Sequence, residues 1–132
     1  MPNIKQYEQE DGVIPFKKWF DSLEVKAALK VRTAMAQMEV GNLGDHKSVG
    51  GGVWERRIDF EKGYRIYFAK DGDELVVLFW GGTKSRQQKD IDKAKDYWSE
   101  YKSRKRKLAE EQQARDQKSK SKKPTKKTRR KK

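Results

Sequence analysis

The sequence predicts an α+β fold in which two N-terminal helices pack on a mostly antiparallel sheet of three to four strands, with a C-terminal helix after it. Three observations predict it. Apolar residues recur at helical spacing between Pro15 and Val40. Two runs rich in β-branched and aromatic residues follow, VWERRIDF and YRIYFAKDGDELVVLFW. The second run ends in Gly81-Gly82-Thr83-Lys84-Ser85, after which helical spacing resumes.

Taken in order, Ile4 and Tyr7 among polar neighbours suit a short first strand, which Gly12 breaks. Pro15 suits the first turn of a helix, and Phe16, Trp19, Phe20 and Leu23 follow at i, i+3, i+4 and i+7, ending near Asp21-Ser22. A second helix is expected from Glu24 to Val40, with Ala28, Val31, Met35 and Met38 as its stripe, widened by Val25 and Leu29. Gly41 and Gly44 end it, and Asp45 to Gly52, with its three consecutive glycines, reads as a mobile surface loop from which Lys47 can reach a ligand.

The next two strands form a hairpin. If Glu61, Lys62 and Gly63 are a three-residue loop with Gly63 left-handed, Phe60 faces Tyr64, Ile58 faces Ile66 and Arg57 faces Tyr67. Trp54, Ile58, Phe60, Tyr64, Ile66 and Phe68 then share an apolar face for the two helices to cover, with Arg56 at its edge. Glu55, Arg57, Asp59, Arg65 and Tyr67 share the other. A slip of one residue would exchange the faces and bury charge, which costs several kcal/mol. Asp71-Gly72 turns the chain again, and Leu75 to Trp80 is apolar enough for a central strand. Ser85 and Gln88 suggest a capping box for the last helix, whose stripe is Ile91, Ala94, Trp98 and Tyr101.

Charge divides the 132-residue chain. Residues 1–101 hold 17 Lys/Arg and 17 Asp/Glu, whereas residues 102–132 hold 16 and 3, so the net +13 lies entirely in the tail. We therefore expect one domain over 1–101 and a basic extension over 102–132, helical at first and, from Gln117, too polar to build a core and disordered. Such a tail favours polyanions such as nucleic acid. The absence of cysteine excludes disulfides and thiolate metal sites, and a single histidine leaves no His/Cys constellation, so neither metal nor cofactor is expected. The opening segment lacks the apolar core of a signal peptide and no run suits a membrane span, which points to the cytoplasm.

Arg57, Arg65, Lys84 and Arg86 are the cations that the predicted sheet and its corner bring near one another, a set suited to phosphate. The Lys-Ser ending is not a nucleotide-binding loop, because the first glycine of that motif would fall at Val77.

The block ERRIDFEKGYRIYFAKDGDELVVLFWGGTKSRQQKDIDKAKDYW resembles the toxins of bacterial type II toxin-antitoxin modules, in the RelE/HigB-like "addiction module killer protein" branch of the RelE/ParE superfamily. The similarity is most specific at Gly63-Tyr64-Arg65, Gly81-Gly82 with Lys84-Ser85, and Lys89-Asp90-Ile91. It covers most of residues 1–101 and not the tail. The resemblance implies a RelE-like toxin fold, a metal-independent endoribonuclease that cuts messenger RNA, commonly on the ribosome, and a cognate antitoxin, often with a helix-turn-helix domain.

It also implies that Arg65 stabilises the transition state, with Arg57 and the Lys84/Arg86 corner around the scissile phosphate. Arg57 is a poor base because arginine stays protonated. Glu55 is the best carboxylate for that role, and Lys84 among other cations is the alternative. Tyr67 and Lys47 join Arg86 as RNA-binding candidates. Two alternatives stay open: inhibition of DNA gyrase, as in ParE-like relatives, and a noncatalytic nucleic-acid-binding protein on the same scaffold.

Overall fold

The structure is a computed structural model that describes residues 3–73 and 75–122, with side chains to residue 118. In chain order it runs β1 (Asn3–Gln6), α1 (Pro15–Asp21), α2 (Val25–Glu39), β2 (His46–Gly50), β3 (Val53–Ile58), β4 (Tyr64–Asp71), β5 (Leu75–Thr83), a 3-10 turn at Lys84–Arg86, and α3 (Gln87–Lys122). The fold is α+β. Its sheet has five strands in the order β1-β5-β4-β3-β2, antiparallel throughout except for the parallel pair β1-β5. The chain divides into two compact units between Ser99 and Glu100.

One sheet face carries the expected apolar core. Ile58, Tyr64, Ile66, Phe68, Val76 and Leu78 pack against Phe16 and Trp19 of α1 and against Ala27, Val31, Ala34 and Met38 of α2. Each large side chain buried there contributes roughly 1.5–3 kcal/mol. The α2 stripe is rotated from the one expected: Val25 and Leu29 are 77% and 58% exposed, while Ala27 and Ala34 face inward. The small alanines let the helix backbone approach the sheet, and the branched residues beside them are left outside. Arg56 lies on this face, bonded from Nη2 to Gln37 Oε1 at 2.7 Å, and burial lowers its pKa.

The β3-β4 register differs from expectation by two residues. Ile58 pairs with Tyr64, Arg57 with Arg65, Arg56 with Ile66 and Glu55 with Tyr67. The loop is therefore five residues, 59–63, with Gly63 left-handed at φ 75° as expected and Glu61 also at positive φ. A shift of two preserves which residues share a face, so the predicted faces hold while the cross-strand partners change.

The segment expected to be a mobile loop holds the edge strand β2, paired with β3 from His46 to Gly50, with a register irregularity between Ser48 and Gly50. The second sheet face is covered as well. Phe79 contacts Tyr7 edge-on and packs against Trp98, and Tyr97 packs on Tyr7, so the first turns of α3 close over it. No capping box forms: Ser85 Oγ lies 3.2 Å from Thr83 Oγ1, and Gln88 reaches forward to Asp92.

In the second unit, α3 is an exposed charged helix with an i,i+4 pair between Glu100 and Arg104 at 2.6 Å. It continues through Lys122, past the Gln117 at which disorder was expected. The rest of the expected disordered tail, residues 123–132, lies outside the described residues. Among the described residues no helix is long and apolar enough to cross a membrane.

Candidate anion-binding site

Gly81 and Gly82 set the distance of both helical layers from β5. A Cβ on Gly81 would overlap the Trp19 ring of α1, and one on Gly82 would overlap the carboxylate of Asp90 in α3. Neither glycine has a positive φ, so close approach is the physical requirement at both. Asp90 is buried and accepts a hydrogen bond from Trp80 Nε1 at 3.0 Å. The double glycine is thus a packing device that seats the start of α3. The phosphate-like appearance of the corner is secondary.

Seating α3 there brings Lys84 to the β3-β4 hairpin. Its backbone N–H donates to the Gly63 carbonyl at 3.1 Å. A groove of about 380 Å³ opens between corner and hairpin, lined by Asp45, Arg57, Asp59, Lys62, Arg65 and Lys84 among others. Three of the cations expected to cluster therefore do so: Arg57, Arg65 and Lys84. Arg86 and Lys47 are exposed and are not among the residues that line the groove.

Arg57 and Arg65 stand directly opposite each other across the β3-β4 ladder. Like charges in that position repel. Each is compensated by a different acid. Arg57 Nη2 donates to Asp45 Oδ1 at 2.9 Å, which lowers the Asp45 pKa and raises that of Arg57. Arg65 Nη1 lies 3.7 Å from Glu55 Oε2. Arg57 is thereby held charged, which strengthens the objection to it as a base.

Two expected site residues lie behind the groove instead of on it. Glu55 and Tyr67, expected to reach RNA from the sheet face that they share with Arg57 and Arg65, are both 0% exposed. The correction follows from α3, which covers that face. Glu55 Oε1 accepts from Gln87 Nε2 at 2.6 Å and from the Tyr67 hydroxyl at 3.5 Å. Burial, reinforced by the nearby Glu55 and Asp90 carboxylates, pushes the Tyr67 phenol up. Tyr67 offers no ring to a base in this arrangement, and Glu55 offers no oxygen to a ribose.

Arg65 links the two layers. It is 9% exposed, lines the groove, and its Nε has no hydrogen-bond partner among the described residues. The Nε of Arg57 is buried without a hydrogen-bond partner in the same way. Sequence reasoning missed Asp45 and Gln87, because both join the site across 12 and 32 residues of chain. No local pattern marks such contacts. A second, more apolar groove of about 280 Å³, lined by Phe16, Phe20 and Met35 with Lys17 and Arg32, contains none of the expected site residues.

An uncharacterized protein of Haemophilus influenzae is 41% identical over 83 residues, which span 62% of this chain and 84% of that relative. Residues 18–99, which run from within α1 to the first turns of α3 and contain the whole groove, match the family described as phage derived protein Gp49-like (DUF891), and the chain belongs to that family.

Proposed function

We propose that the protein is the toxin of a type II toxin-antitoxin pair and acts as an endoribonuclease on messenger RNA, engaged on the ribosome in the cytoplasm. The Gp49-like family and the toxin resemblance of its strands and corner support the toxin reading. One observation carries the chemistry: Arg65, nine-tenths buried, lines one groove together with Arg57 and Lys84.

In this reading the groove takes the scissile phosphate. Arg65 holds the phosphorane charge in the transition state, and Arg57 neutralises the remaining oxygens, so that side-chain cations supply the charge that a metal ion supplies elsewhere. The ribose 2′-hydroxyl attacks the adjacent phosphorus as its proton is removed, and the leaving 5′-oxygen is protonated. Of the two bases considered, Glu55 is closed off by burial and Lys84 stands open at the groove. Lys84 in its neutral form is then the proton acceptor, and the ammonium so formed is the proton source for the leaving 5′-oxygen. Arg86, Lys47 and the basic extension add phosphate contacts outside the groove. A cognate antitoxin, of the helix-turn-helix kind, holds the toxin inactive.

Primer extension on translated messenger RNA, with wild type beside Arg65→Ala, tests this. Cleavage by wild type and a loss of about 10²–10³-fold in the variant are expected, as for removal of one oxyanion donor. Cuts that persist in Arg65→Ala would remove the site from the reaction. No cuts, alongside inhibited gyrase supercoiling, would favour the ParE-like alternative. RNA binding without cutting would favour the noncatalytic one.

A further inference from the structure

Glu55 is a carboxylate with no exposure, and burying it carries a desolvation cost of several kcal/mol. An apolar side chain of similar volume would pack the same space without that cost. What Glu55 does that an apolar residue cannot is hold donors from two other elements. Its Oε1 accepts from Gln87 at the start of α3 and faces the Tyr67 hydroxyl of β4. Its Oε2 faces Arg65 Nη1 and has no hydrogen-bond partner among the described residues. Gln87 directly follows the 3-10 turn that carries Lys84.

We infer that Glu55 is a positioning residue: it fixes the Arg65 guanidinium from behind and, through Gln87, the corner that presents Lys84, so that one buried carboxylate aligns two cations of the groove. The inference rests on reading the groove as a phosphate site. Arg65 faces Arg57 across the ladder, and two mobile guanidiniums so placed would turn away from each other into solvent. Glu55 behind one and Asp45 beside the other keep them adjacent. Alignment of this kind matters because a displacement of about 1 Å at a reacting centre can cost roughly 100-fold in rate.

Glu55→Gln separates the roles. The amide keeps one oxygen acceptor for Gln87 and Tyr67 and places an NH2 group where Arg65 has its counter-charge. The first readout is independent of RNA: the arginine Nε–H signals of the ¹⁵N-labelled full chain, with the Arg65 signal identified by its absence in Arg65→Lys. In Glu55→Gln we expect the Arg65 signal to shift, because the carboxylate charge that faces its guanidinium is removed, while the Arg57 signal stays in place. An Arg65 signal unchanged in the folded variant overturns the inference.

If Glu55→Gln fails to fold, Gln87→Ala leaves the carboxylate charged and removes one of its tethers. A smaller change in the same direction supports the inference, and none overturns it. The second readout is RNA cleavage, where we expect kcat to fall about 100-fold in Glu55→Gln with KM nearly unchanged. Unaltered kcat in that variant overturns the inference. Absence of cleavage by wild type instead overturns the endoribonuclease reading, and the Arg65 signal still decides the role of Glu55.

Discussion

The two faces of the sheet are both buried, but they are buried differently. Under α1 and α2 the sheet presents Ile58, Tyr64, Ile66, Phe68, Val76 and Leu78, with Arg56 as the charged member, anchored by Gln37. Under α3 it buries Glu55 and Arg65 together with Tyr67, Val77 and Phe79, and Asp90 of α3 is buried against it. An apolar face gains stability from every side chain it covers. A face with buried ionic groups gains little or loses. The difference teaches where stability and function are separated: the first face holds the fold together, and the second holds the back wall of the groove in place.

The comparison breaks most visibly at Phe68. Phe68→Ala on the apolar face should cost about 3–5 kcal/mol, read as a lower urea midpoint, because it leaves a cavity among packed rings. Below its melting temperature the variant should bind inorganic phosphate as wild type does. Loss of binding in the folded variant would show that the faces are not separable.

Gly82→Ala probes the other face and should have a smaller effect, about 1–3 kcal/mol, from overpacking against Asp90. Its signature is a displaced Trp80 indole N–H signal, since Asp90 accepts that bond. An unmoved indole signal would mean that α3 is not seated by this glycine.

Asp45 gives the smallest effect, because its pair with Arg57 is solvent-exposed. At neutral pH Asp45→Asn should leave the melting temperature nearly unchanged. The native carboxyl has a lowered pKa, so the unfolded chain binds the proton more readily. The contribution is present above the ordinary carboxylate range of about pH 4 and is lost as pH falls through the lower native value. Melting curves of wild type and variant should therefore converge in acid; divergence there would contradict the assigned pair.

Much of this architecture was legible residue by residue. The spacing of Phe16, Trp19, Phe20 and Leu23 marks α1, Gly63 takes the left-handed turn, and the alternation from Trp54 to Phe68 sorts the two faces correctly. The same alternation is blind to a shift of two, which is why Arg57 was paired with Tyr67 and faces Arg65 instead. The β2 strand was missed because HKSVG has no alternating apolar residues; its place depends on backbone pairing with β3. The grouping of Arg57, Arg65 and Lys84 could be read from topology, whereas Asp45 and Gln87 could not, since each enters from a distant segment.

By itself the sequence determined most of the element types and the sidedness of β3 and β4, because periodicity is a local property. Only the tertiary structure decided that α3 closes over the Glu55 face, that Gly81 and Gly82 serve the approach of Trp19 and Asp90, and that Glu55 and Tyr67 stand behind Arg65 instead of beside it. Those outcomes depend on register and on how closely layers can approach. Such distances are set by residues far apart in the chain.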